Sequence, residues 1–93
     1  MTKQASTTAT REITITNELG LHARPAAEFA KQARRFRSEV FLVKDGERFS
    51  AASLIDILRA NLDKGATVTL EAVGRDAEQA VERLAQVVRG FKD

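Results

Sequence analysis

The chain's only histidine and only proline fall in one short stretch, Gly20-Leu21-His22-Ala23-Arg24-Pro25-Ala26-Ala27. Proline is favoured in the first turn of a helix, where its missing N–H is not needed. His22 is therefore expected at a helix N-terminus, where unsatisfied backbone N–H groups and the positive end of the helix dipole meet. Such a terminus cradles anions, and Arg24 would add a charged clamp for phosphate. The chemistry this combination suits is phosphorylation of the imidazole itself, because phosphoryl transfer asks a protein for positioning and charge stabilisation. Residue types alone also allow a plainer reading, a weakly capping histidine followed by a solvated arginine.

Two further stretches carry candidate chemistry. Ser53-Leu54-Ile55-Asp56 has the form of a helix N-cap with an acidic residue at the third helical position. Lys31, Arg34, Arg35 and Arg37 form a basic cluster downstream of the histidine. That cluster reads either as a solvated helix face or as a positive rim steering acidic proteins toward His22.

The elements that must position these residues follow from periodicity. Ile13 and Ile15 alternate with Thr14 and Thr16, a strand with one buried face. Ala26, Phe29, Ala30, Ala33 and Phe36 recur at helical spacing, which predicts a first helix over about residues 23–36. Val40-Phe41-Leu42-Val43 is β-prone, Asp45-Gly46 is a two-residue hairpin signal, and Arg48-Phe49-Ser50 completes the hairpin. Ser53 opens a second helix with Leu54, Ile55, Ile57, Leu58 and Leu62 as its apolar set, ended by Lys64-Gly65. Thr67–Ala72 alternates as a last strand. Asp76 is expected to cap a third helix whose stripe is Ala77, Ala80, Val81, Leu84, Val87 or Val88, and Phe91. The order β-α-β-β-α-β-α, with helices over one face and alternating strands, predicts a two-layer α+β domain with one wet sheet face. Residues 1–10, small, polar and Thr-rich, are expected to be a disordered N-terminal extension, leaving a domain at 11–93.

Gly-Leu-His-Ala-Arg-Pro-Ala resembles the active-site signature of the HPr family, the histidine-containing phosphocarriers of the phosphoenolpyruvate-dependent sugar phosphotransferase system. The likeness runs from about Arg11 to Phe91 and takes in Ser53 and the Lys64-Gly65-Ala66 turn. It implies an open-faced sandwich, a four-stranded antiparallel sheet with three helices on one side. It also implies that His22 is phosphorylated on Nδ1 by enzyme I and passes the group to IIA proteins. Arg24 matches the family's phosphate-contacting arginine and Pro25 its helix-starting proline, with Gly20 and Ala23 supporting the helix start. The protein would thus be a carrier acted on by enzymes and not an enzyme. Leu21, Ala27, Leu54 and Ile55 are expected as partner contacts. Ser53 matches the serine modified by HPr kinase/phosphorylase in many bacteria. Asp56 departs from the family's usual small or basic residue there, and a carboxylate one turn away would repel a phosphoserine. The alternative within the same likeness is a regulatory binding module of an incomplete or nitrogen-type phosphotransferase system.

Composition narrows the rest. Ninety-three residues, 43% of them hydrophobic, support one modest core. With no cysteine and one histidine, neither disulfides nor a metal site is expected, and no cofactor is implied. No apolar run reaches membrane-spanning length and the first ten residues lack the apolar core of a secretory signal, so a cytoplasmic monomer is expected. Without tyrosine or tryptophan, an RNA-binding sheet is not.

Overall fold

The computed structural model describes residues 7–92. Its elements are β1 (Thr7–Thr14), α1 (Ala23–Ala33), β2 (Glu39–Lys44), β3 (Glu47–Ser50), α2 (Leu54–Arg59), β4 (Thr67–Gly74) and α3 (Ala77–Arg89). The strands form one antiparallel sheet in the order β1-β4-β2-β3. Three helices complete the α+β open-faced sandwich that the sequence predicted.

Strand alternation decides what the sheet buries. Ala9 and Ile13 of β1, Val40 and Leu42 of β2, Phe49 of β3 and Val68, Leu70 and Ala72 of β4 point into the core. There they meet Ala26, Phe29, Ala30 and Ala33 of α1, Ile57 of α2, and Ala80, Val81, Leu84, Ala85 and Val88 of α3. Alanine is frequent on the helix faces, which lets the helices lie close to the sheet. The opposite sheet face is wet, with one aromatic on it: the Arg48 guanidinium sits 3.9 Å from the centre of the Phe41 ring. The Asp45-Gly46 hairpin forms as predicted, both residues having positive φ (52° and 81°), as a two-residue primed turn requires.

Several boundaries differ from expectation, each for a tertiary reason. β1 starts at Thr7 and pairs with Gly74, and Ala9 is buried. Residues 7–10 therefore belong to the sheet and not to a disordered extension; residues 1–6, also assigned to that extension, lie outside the described residues. α1 ends at Ala33 and not near 36, because the backbone N–H groups of Arg37 and Ser38 donate to the Asp76 carboxylate (both 2.9 Å). A continuing helix would have spent those donors on its own carbonyls. Phe36 nevertheless packs against the core. α2 stops at Arg59, where Asn61 turns to φ 52° and Lys44 Nζ donates to the Ala60 and Asn61 carbonyls (2.9 Å each). Asp76 occupies the N-cap of α3 but makes no side-chain cap bond. Its carboxylate faces the chain entering β2, where it also accepts from the Ser38 hydroxyl at 2.6 Å.

Among the described residues, no helix is long and apolar enough to cross a membrane.

Candidate functional site

The loop that delivers His22 is fastened from both sides. Beyond β1, Ile15 N–H donates to the Ala66 carbonyl (2.9 Å), and Gly65 N–H to that of Ile15 (2.7 Å). Asn17 closes a tight turn: its Nδ2 donates to the Gly20 carbonyl (2.7 Å), and Gly20 N–H donates to its backbone carbonyl (3.1 Å). Gly20 has φ 67°, and a Cβ there would come within 2.4 Å of the Leu62 carbonyl oxygen. Only glycine fits this turn. Leu21 N–H then donates to that same Leu62 carbonyl (2.8 Å), and the Leu21 side chain is buried.

The chain emerges at His22, the N-cap of α1, with extended backbone angles (φ −78°, ψ −172°). Its carbonyl accepts the first helical bond, from Ala26 N–H at 2.9 Å. Its imidazole makes no cap bond and is half-buried. Pro25 is the third residue of the helix. Because it has no N–H, the unsatisfied donors of the first turn are those of Ala23 and Arg24, directly beside the ring. No acidic residue occupies this first turn, so the positive end of the dipole is uncompensated.

His22 borders two clefts. One, of about 720 Å³, is lined by Leu19, His22, Ala23, Arg24, Pro25, Glu28, Phe91 and Lys92. The other, of about 180 Å³, lies between His22 and the chain leaving α2, including Leu58, Asn61 and Asp63. The structure thus brings His22, Ala23, Arg24 and Pro25 together, with Gly20 acting from behind. It adds Phe91 and Lys92, which sequence periodicity could not assign because their place depends on the packing of α3 against α1.

Four large apolar side chains are exposed: Leu19 (64%) and Leu58 (40%), which line the smaller cleft, and Leu54 (37%) and Ile55 (69%) on α2. A six-residue helix buries one face only, and in α2 that face is Ile57. Leu54, Ile55 and Ala27 are exposed. Leu21 is not: at 4% exposure it belongs to the core, because its amide is pinned to Leu62. Leu19 and Leu58 are exposed apolar residues that the sequence reading did not select; their helical or loop spacing resembles ordinary core.

Ser53 behaves differently from His22. It is the N-cap of α2, and its Oγ accepts from Asp56 N–H at 3.2 Å. Asp56 in turn accepts from Ser50 N–H (3.1 Å) and from Arg59 (3.2 Å), tying the end of β3 to the helix. Arg34 donates to the Ala52 carbonyl (2.9 Å), fastening the same turn to α1. Ser53 lines neither cleft beside His22. The basic cluster is also displaced: eleven residues of α1 separate its two ends, roughly 16 Å along the axis, so Arg35 and Arg37 do not rim His22.

A small α+β protein presenting an uncapped histidine at a helix start defines a class, the histidine phosphocarriers. A family model for the PTS HPr component phosphorylation site matches residues 9–89, and the chain belongs to the HPr family. It is 40% identical over 79 residues to the HPr-like protein Crh of Bacillus subtilis, covering 85% of this chain and 93% of that one. It is 39% identical to phosphocarrier protein HPr of Buchnera aphidicola (83% and 91% covered), and 38% identical to phosphocarrier protein NPr of Shewanella violacea (84% and 86%). The crystal structure of HPr from Bacillus anthracis superimposes with a TM-score of 0.82 at 35% identity, covering 86% of this chain and 95% of that one.

Proposed function

We propose that His22 accepts a phosphoryl group on Nδ1 from phospho-enzyme I, itself charged by phosphoenolpyruvate, and passes it to IIA proteins for sugar uptake. The observation that carries this reading is the imidazole at the N-cap of α1, committed to no cap bond and flanked by the unsatisfied N–H groups of Ala23 and Arg24. In the transfer the ring lone pair forms the new N–P bond as the donor's bond to phosphorus breaks. The arriving dianion meets the helix N-terminus and the Arg24 guanidinium, both worth most where charge develops. Pro25 keeps the first turn open by leaving no third donor to satisfy. Leu54, Ile55 and Ala27, joined by Leu19 and Leu58, form the docking face, and the modest size of such a patch suits a carrier that must leave one partner for the next. A single cytoplasmic copy suffices, since every residue in this scheme lies on one chain.

Ser53 is proposed as a helix cap first. Phosphorylation there by an HPr kinase/phosphorylase would set a dianion beside the Asp56 carboxylate, and the repulsion would make this chain a poor substrate.

The testing experiment is incubation with enzyme I and phosphoenolpyruvate, read by intact mass at neutral and acidic pH. A single acid-labile phosphoryl group, absent from His22→Ala, is expected; labelling that survives the substitution overturns the assignment. The likeness to NPr favours a second reading, service in a nitrogen-type branch. A direct competition between the two types of enzyme I as donors, read as initial transfer rates, separates them.

A further inference from the structure

α1 and α3 run antiparallel, so the pair has two poles. One holds the His22 cleft, where the end of α3 meets the start of α1. The other holds a separate groove of about 440 Å³ lined by Gln32, Arg35, Phe36, Gln79 and Arg83. The proposed histidine chemistry uses none of these residues.

The composition of this groove is selective. Gln79 and Arg83 are one turn apart on α3 and share a face. Arg35 and Phe36 come from the turn that ends α1. Among the described residues, neither the Arg35 nor the Arg83 guanidinium makes an ion pair or hydrogen bond. Of the carboxylates nearest in sequence, Glu82 is committed to Arg11 and Gln86, Glu28 to Gln32, and Asp76 to Ser38 and the Arg37 amide, while the exposed Glu39 and Glu78 pair with neither arginine. Two cations thus line one concavity, and neither is held in an ion pair.

The groove is also preorganised. Asp76 grips the backbone of Arg37 and Ser38, which fixes the turn bearing Arg35 and Phe36 and limits the ordering cost of binding. A guanidinium fork matches the geometry of phosphate oxygens. The half-buried Phe36 ring offers an apolar surface, and two glutamine amides offer donors and acceptors for hydroxyl groups. The space exceeds what a bare phosphate needs. We propose that this groove binds a small organic phosphate monoester, with Arg35 and Arg83 holding the phosphate and Phe36, Gln32 and Gln79 receiving a hydroxylated organic part.

The test uses the full, isotope-labelled chain and amide NMR, with inorganic phosphate and a hexose 6-phosphate titrated separately. Saturable shifts are expected at Arg35, Phe36, Gln79 and Arg83, reached at lower concentration with the hexose phosphate. Arg35→Ala/Arg83→Ala should weaken binding about tenfold or more with the spectrum otherwise unchanged. Arg35→Lys/Arg83→Lys should fall between, since charge remains and the fork is lost. Arg24→Ala should leave these shifts intact. Equal response to inorganic phosphate would overturn the organic part of the proposal. Shifts confined to Ala23 and Arg24, or none that saturate, would overturn the site.

Discussion

His22 and Ser53 occupy the same position on two helices and do opposite things with it. Ser53 spends its side chain on its own helix, accepting from the Asp56 amide. His22 makes no side-chain cap bond. A hydroxyl reaches the third amide of its helix and stabilises it; an imidazole on extended backbone leaves the first-turn donors open. Acidic charge sharpens the contrast. α2 carries Asp56 in its first turn and α1 carries none, so one terminus is internally neutralised and the other is left attractive to an incoming anion. Stability and reactivity at a helix start thus draw on the same few N–H groups, and a residue that satisfies them cannot also offer them.

The comparison breaks first at His22. His22→Ala should abolish phosphoryl transfer while shifting stability by less than about 0.5 kcal/mol, seen as loss of the acid-labile adduct with an unchanged melting profile. Gly20→Ala should damage both ends of the argument. Its positive φ strains a β-carbon by about 1–3 kcal/mol, and the contact with the Leu62 carbonyl adds to that. A melting scan should therefore show clear destabilisation, and transfer should slow even at temperatures where the variant is folded.

Arg24→Ala should leave the fold intact and slow transfer roughly ten- to a hundredfold, the value of about 1.5–3 kcal/mol for a charge-assisted contact made chiefly in the transition state. Unchanged rapid-quench kinetics would leave the helix N-terminus as the sole cradle. Ser53→Ala should show the reverse pattern, costing about 1 kcal/mol in denaturant titration with little effect on transfer to His22.

The smallest expected effect belongs to the third helix start. Asp76 feels partial desolvation, which pushes its carboxyl up. Bonds from the Ser38 hydroxyl and the Arg37 and Ser38 amides outweigh this and hold it below the ordinary value of 3.8. A depressed carboxyl contributes stability that is fully present above its unfolded value and is lost as pH falls through its folded value. Asp76→Asn should therefore be less stable than the parent by on the order of 1 kcal/mol at neutral pH. That gap should begin to narrow near pH 3.8 and close below the folded value. A gap independent of pH would mean that the charge of Asp76 contributes nothing to gripping the turn after α1.

By itself the sequence determined the order of elements, the hairpin, the apolar stripe of α3, the place of His22 at a helix start and the capping role of Ser53. All of these rest on local rules: period-two and period-3.6 burial, turn chemistry, and which side chains can reach a nearby amide. Tertiary structure alone decided where the elements stop and what shares a surface. α1 ends early because the Asp76 carboxylate, at the start of α3, takes the Arg37 and Ser38 donors, and Asp76, read locally as a cap, is spent on that task instead. Leu21, apolar and beside the histidine, went to the core because its amide is pinned to Leu62. Leu19 and Leu58, no different in type, stayed outside. Arg34 and Arg35, adjacent in the turn that ends α1, parted toward the turn before α2 and toward α3, and only the packing around that turn says what each one meets.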